Sequence, residues 1–181
     1  MMGDTQLNAA EIKIGVVGLG LMGCSITTCL LMAGHPVVAV APVSGALTFA
    51  LKRITKHLQR SRREKLVTQA PDFYLQHLHI TESYDQLQGC ALVIECTLEN
   101  LDIKKSVYSK IEAVIDKNAL LASNTSAIPI SILQQQTTHP SRFFGLHWAE
   151  PSHTTRFLEV ICGNERDIAK VEYLYERSHL W

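Results

Sequence analysis

Between Glu11 and Glu64 the chain has no aspartate or glutamate. Any role that demands a carboxylate in that stretch is therefore excluded. No two cysteines stand in a C-x-x-C pair, and the total is odd at five: Cys24, Cys29, Cys90, Cys96 and Cys162. That spacing excludes an ordinary structural zinc site, so no metal is expected. The cysteines read instead as reduced thiols of a cytoplasmic protein. Charge of neither sign is in excess, with 17 Lys plus Arg against 17 Asp plus Glu. A zero balance offers nothing to nucleic acid or to an acidic membrane, and neither is expected as a partner. No basic segment precedes an apolar one at the start, where residues 1–11 are polar and expected to be flexible. A membrane span is lacking too. The apolar stretch Ile14–Ala33 holds four glycines by Gly23, which a spanning helix does not absorb cheaply.

What is present is a soluble, globular composition, 46% hydrophobic and 19% charged over 181 residues. That length suits one domain with a real core, or one domain plus a short appendage. Apolar runs bounded by turn residues predict strands at Ile12–Val17, Val37–Val40, Leu78–Ile80, Ala91–Glu95, Leu120–Ala122, Phe143–Leu146 and Arg156–Ile161. Helices are expected at Leu21–Ala33, stopped by Gly34, and at Ala46–Lys65, with Leu47, Leu51, Ile54 and Leu58 on one stripe. Further helical segments are expected around Tyr84–Leu87, at Leu101–Ile115, at Pro129–Gln136 and at Asp167–Ser178. Strands alternating with helices mean an α/β fold: a doubly wound, mostly parallel sheet of Rossmann type, with helices on both faces. No linker or repeat divides residues 12–181.

The stretch Gly18-Leu19-Gly20-Leu21-Met22-Gly23 matches G-x-G-x-x-G between a predicted strand and a predicted helix. In that context the first glycine makes the tight turn and the second lets backbone approach a pyrophosphate. The third packs helix on strand, and the helix N-terminus supplies N–H groups. The alternative is a tight turn with no ligand. Such a site normally includes an acid about twenty residues on, to bind the adenosine ribose. Ala41 stands there instead, and no arginine stands beside it for a 2′-phosphate.

Three polar features fall at strand ends, where open α/β sheets bind ligands. Ser123-Asn124-Thr125-Ser126 follows one strand, and His147 follows another. Glu159 lies inside the apolar run Phe157–Ile161, where a carboxylate is costly unless paired. A His–Glu pair is a general base held in one tautomer. The bland alternatives are a helix cap for Ser123–Ser126, an edge position for Glu159 and a satisfied interior position for His147. The other seven histidines read as surface or structural.

From Ile12 to Trp181 the chain resembles the N-terminal NAD-binding domain of the 3-hydroxyacyl-CoA dehydrogenases. The resemblance rests on the glycine motif, Ile94-Glu95-Cys96-Thr97-Leu98-Glu99-Asn100, Ser123-Asn124-Thr125-Ser126, Gly145-Leu146-His147 and Leu158-Glu159-Val160. It implies an enzyme of the fatty-acid β-oxidation type, with NAD as cofactor and a 3-hydroxyacyl-CoA as substrate. His147 would take the proton of the 3-hydroxyl, Glu159 would orient His147, and Ser126 would bind the reacting oxygen. Glu99, Lys104 and Asn124 would contact the nicotinamide half, while Gly18, Gly20, Leu21, Met22 and Gly23 would hold the pyrophosphate. The basic helix Lys52–Lys65 lies where the family places part of the CoA, or is simply a solvated face.

Three departures stand out. Ala41 replaces the ribose-binding aspartate. The family's His-Phe-Phe-Asn-Pro appears as His147-Trp148-Ala149-Glu150-Pro151. The chain stops at Trp181, short of the helical domain that in the family supplies an asparagine, closes the cleft and forms a homodimer. These departures leave two other expectations open: a dehydrogenase of a free 3-hydroxy acid or carnitine-like substrate, and a nucleotide-binding fragment without turnover.

Overall fold

The computed structural model describes residues 8–42, 45–155 and 157–181. Four short apolar strands form its centre: β1 (Ile14–Val17), β2 (Val37–Val40), β4 (Leu92–Glu95) and β5 (Leu120–Ser123), buried at every position. Burial on both faces is what near-continuous runs of branched residues specify. With β3 (Leu78–Thr81), β6 (Phe143–Trp148) and β7 (Leu158–Cys162) they make one seven-stranded sheet in the order β3-β2-β1-β4-β5-β6-β7. The first six strands run parallel, and β7 pairs antiparallel with β6. The order reverses between β1 and β4, and that switch point opens a crevice at the carboxyl ends of the strands.

Helix α1 (Leu21–Met32) is buried from Gly23 through Leu31, because the sheet covers one side and other helices cover the rest. Gly34, at φ +94°, ends it as expected, and His35 N–H returns to the Leu30 carbonyl at 3.1 Å. Helix α2 (Ala46–Arg63) is amphipathic, with Ala50, Ile54, Leu58 and Ser61 buried. Ile54 and Leu58 each contribute about 1.5–3 kcal/mol by leaving water. Leu51 does not belong to that stripe: it is exposed, and Ala50 takes its place on the buried side. The helix also ends two residues earlier than Lys65, which adopts φ +61° beyond the cap.

Two short helices were not legible in the sequence, α3 (Pro71–Leu75) and α6 (Ser152–Thr155). The remaining helices are α4 (Leu101–Glu112), α5 (Ile130–Gln134) and α7 (Ile168–Ser178), with a 3-10 turn at Tyr84–Leu87. One core lies under α1, α2 and α7, and the other under α4 and α5. Of the segment 1–11 expected to be flexible, residues 1–7 lie outside the described residues, and Ala9–Glu11 form a 3-10 turn capped by Asn8. Arg156, the expected start of the last strand, also lies outside them.

Histidines do much of the pinning around α1. His35 is fully buried, with Nδ1 3.0 Å from the Ile12 carbonyl and Nε2 accepting from Trp181 Nε1 at 2.9 Å. His153 on α6 sits 3.0 Å from Ser25 Oγ on α1 and stacks on His57 of α2, ring centroids 4.6 Å apart. Among the described residues no helix is long and apolar enough to cross a membrane, and no cluster of side chains could hold a metal ion. None of the five cysteines is in a disulfide. Burial pushes the Cys24 and Cys90 thiols up to about 11 and raises that of Cys96 as well, so none of these three is a ready thiolate nucleophile.

Candidate functional site

The glycine turn joins β1 to α1 at the switch point. Its three glycines answer to different demands. A Cβ at Gly23 would lie 1.8 Å from the Gly18 carbonyl oxygen, and one at Gly18 would lie 2.7 Å from the Cys96 carbonyl oxygen. The protein's own packing requires glycine at both. Gly20 is different. A Cβ there would meet nothing within 4 Å, and its φ of −71° suits any residue. The space in front of Gly20 is open, at the amino end of a helix whose first N–H groups lack intrahelical acceptors. That cradle fits a diphosphate lying against backbone.

From the turn a cleft of about 880 Å³ runs past Leu21, Met22 and Ala41 towards Tyr84 and Lys110. Ala41 sits at the tip of β2 as expected, and it brings no hydrogen-bonding side chain to the cleft. A smaller hollow of about 480 Å³ lies at the opposite ends of β4 and β5 and contains none of the expected site residues.

Beyond β5, a line of hydrogen bonds crosses three chain segments. Glu159 Oε2 on β7 lies 2.7 Å from His147 Nδ1 on β6, and His147 Nε2 lies 3.1 Å from Ser126 Oγ. The carboxylate can only accept, so Nδ1 carries a proton, and in the neutral ring Nε2 is the acceptor that faces Ser126. His147 does not follow β6 as expected but belongs to it, because the strand continues through Trp148. Its ladder partner is Glu159. Glu159 is half-exposed on the outer strand, so its edge position and its pairing hold together.

Glu99 anchors the loop after β5. It accepts from Ser126 N–H at 2.7 Å and from Thr125 Oγ1 at 2.9 Å, and Lys104 Nζ lies 3.4 Å away. Partial burial pushes the Glu99 carboxyl up, but those two donors and the Lys104 charge outweigh it and hold it below its ordinary range. Asn124 is buried, and its Oδ1 accepts from Trp148 N–H at 2.9 Å, which fixes the amide plane.

Lys104 is placed differently from the expectation. Only 1% of its surface is exposed, and Nζ donates to both oxygens of Glu95 at 2.9 Å. Glu95, at the end of β4, is entirely buried. It also accepts from Ser123 Oγ at 2.7 Å, Tyr108 OH at 3.0 Å and Thr97 N–H at 2.6 Å. Sequence reasoning missed this hub. The signal was there: a carboxylate closing an apolar strand needs partners, the argument applied to Glu159 and not to Glu95.

The basic residues of α2 are exposed, and Arg60 pairs with Glu64 at 2.7 Å.

The geometry finds a match among known proteins. Residues 13–178 match the family described as 3-hydroxyacyl-CoA dehydrogenase, NAD binding domain. The chain is 34% identical over 161 residues to a 3-hydroxybutyryl-CoA dehydrogenase of Bradyrhizobium diazoefficiens, covering 88% of this chain and 55% of that one. It is 33% identical over 154 residues to the 5-formyl-3-hydroxy-2-methylpyridine 4-carboxylate 5-dehydrogenase of Mesorhizobium japonicum, covering 84% and 49%. The crystal structure of FadB2 from M. tuberculosis superposes with a TM-score of 0.88 at 32% identity, over 94% of this chain and 60% of that one. The chain thus spans about half the length of the curated relatives it matches.

Proposed function

Because this chain belongs to the NAD-binding-domain family of the 3-hydroxyacyl-CoA dehydrogenases, we propose that it forms the cofactor half and the proton-transfer site of such an enzyme. The substrate class is a 3-hydroxyacyl-CoA, oxidised at the 3-hydroxyl. The observation that carries this reading is the Glu159–His147–Ser126 line, with its 2.7 Å and 3.1 Å links.

Each residue has a distinct task. His147 Nε2 removes the hydroxyl proton as the C3–H bond breaks. Glu159 holds the Nδ1 proton and balances the imidazolium that forms. Ser126 Oγ, now on Nε2, turns to the reacting oxygen and fixes its position between base and backbone. Glu99 and Asn124 shape the wall for the nicotinamide half, and Lys104 acts from behind Glu99. Gly18, Gly20, Leu21, Met22 and Gly23 hold the pyrophosphate. Bound NAD supplies the hydride acceptor, and its redox chemistry is its own. An isolated wall leaves the His–Glu pair in water, so turnover needs a further helical domain to close the cleft, and in this reading that domain also forms the homodimer. The thiol-rich, disulfide-free chain suits a reducing compartment such as the cytoplasm.

A second reading has specific support. Trp148, Ala149 and Glu150 depart from the family's pattern after the histidine, and one relative is named for a pyridine carboxylate and not for a CoA thioester. Steady-state kinetics of a protein completed by the helical domain separates the two. A large gain from the CoA moiety supports acyl-CoA; none overturns it in favour of a free hydroxy acid. Titration of NADH fluorescence against the present chain tests the cofactor half directly, and absence of binding refutes it. Binding with no turnover even in the completed protein leaves a nucleotide-binding module.

A further inference from the structure

In a dinucleotide cleft of this kind, a carboxylate at the strand tip after the glycine turn accepts hydrogen bonds from the adenosine ribose and repels a 2′-phosphate. Here that tip is Ala41, and residues 12–63 contain no acid to replace it. The neighbouring strand does contain one. Val40 pairs with Thr81 in the parallel β2–β3 ladder, and Ala41 N–H donates to the Thr81 carbonyl at 2.9 Å. Ala41 and Glu82 therefore stand side by side as the next residues on the two strand tips.

Glu82 does not simply point into solvent. Its Oε1 accepts from Gly45 N–H at 3.1 Å. Gly45 precedes Ala46, which lines the cleft together with Ala41 and Pro42. The side chain thus brings its carboxylate to the start of α2, next to the cleft-lining Ala46. Its Oε2 makes no hydrogen bond among the described residues, which leaves an acceptor for a ribose hydroxyl.

Building on the dinucleotide reading above, the geometry points to Glu82 as the ribose-recognising carboxylate of this chain, supplied from β3 in place of Ala41 on β2. It makes the site selective for a dinucleotide with a free adenosine 2′-hydroxyl over its 2′-phosphate. The competing role is purely structural. Gly45 is the N-cap residue of α2, and Glu82 ties its N–H to the tip of β3. The competing charge is Lys110 on the far wall, whose Nζ stands 5.7 Å from the Tyr84 ring centroid.

The test is paired titration of the 181-residue chain with NADH and NADPH, followed by nicotinamide fluorescence. NADH binds more tightly by roughly tenfold, the effect of one hydrogen bond to a charged group. Glu82→Gln keeps an acceptor for Gly45 N–H but removes the charge. It brings the two affinities within about threefold of each other, with the melting temperature unchanged. Glu82→Lys reverses the preference. An unchanged ratio in Glu82→Gln overturns the inference and leaves Glu82 a tie to Gly45. Tighter NADPH binding by the unaltered chain overturns it in favour of Lys110. If neither nucleotide binds, the dinucleotide reading itself fails and takes this inference with it.

Discussion

His147 and Glu159 face each other directly across the antiparallel β6–β7 pair, and that register places Nδ1 2.7 Å from Oε2. A slip of one residue would turn Glu159 to the other face of the sheet. The pair is therefore a product of ladder register as much as of side-chain choice.

His147→Gln is expected to lower turnover of a completed enzyme by roughly 10²–10⁴-fold. NADH affinity of the present chain should barely change, because the imidazole's partners are Glu159 and Ser126 and not the glycine cradle. Steady-state kinetics and a fluorescence titration read the two separately. A large loss of NADH affinity would show that His147 belongs to the cofactor site.

The glycine turn separates fold from ligand within one motif. Gly23→Ala forces a Cβ to within 1.8 Å of the Gly18 carbonyl oxygen, so the β1–α1 turn must shift and the chain should lose several kcal/mol of stability, on the order of a severe core overpacking. Gly20→Ala meets open space and should fold normally. Its methyl group instead occupies the approach to backbone, so NADH affinity should fall at least about tenfold. Urea melts paired with NADH titrations decide. Equal affinity in Gly20→Ala would mean the open cradle is not where the pyrophosphate lies.

Removing the Glu95 charge leaves an ammonium that is 1% exposed with Glu99, 3.4 Å away, as its remaining carboxylate partner among the described residues. Glu95→Ala is expected to cost about 3–5 kcal/mol in urea denaturation, the range for breaking a buried ion pair from one side. Adding Lys104→Met to that variant should restore part of the loss. Failure of the double variant to recover any would mean that Ser123, Tyr108 and Thr97, not the lysine, depend most on the carboxylate.

Acid should loosen the α1–α2–α6 contact before it reaches the carboxylates. Burial, then the charges of His153, Arg53 and Arg60, lower His57 to about 4, and burial lowers His153 and His35 as well. These histidines resist protonation when folded, while the unfolded chain protonates near 6.5. Their contribution is fully present above about pH 6.5 and is lost as pH falls towards 4. Thermal melts across that window should show the decline, and His57→Leu should flatten it. A profile that stays level until the carboxylates titrate would show that the rings are solvated.

The sequence carried the scaffold where periodicity and turn chemistry agree. β2 matches its predicted limits, and the helix after the glycine turn ends at Gly34 as expected. The helices α3 and α6 were illegible because four or five residues span barely one turn and show no period. Leu51 was misplaced for a related reason: spacings of three and four admit two neighbouring stripes, and only packing against α1 selects the one with Ala50. At the site, the cost of a carboxylate in an apolar strand pointed to Glu159 and its histidine. The same cost at Glu95 went unread, and with it the burial of Lys104. A lysine near a cofactor motif suggests a ligand contact, while its actual partner depends on which strand end lies beneath it.

The outermost strand of a sheet is held on one side only. Among the described residues the sheet has two such edges, β3 and β7, and β7 pairs with β6 alone. The carboxylate paired with His147 thus rides on an edge strand, which is cheaper to open locally than the centre of the sheet, where the glycine cradle sits. Mild denaturant should accordingly act there first: amide exchange along Leu158–Cys162 quickens and the Glu159–His147 pair loses its alignment while β1 and the glycine turn remain protected.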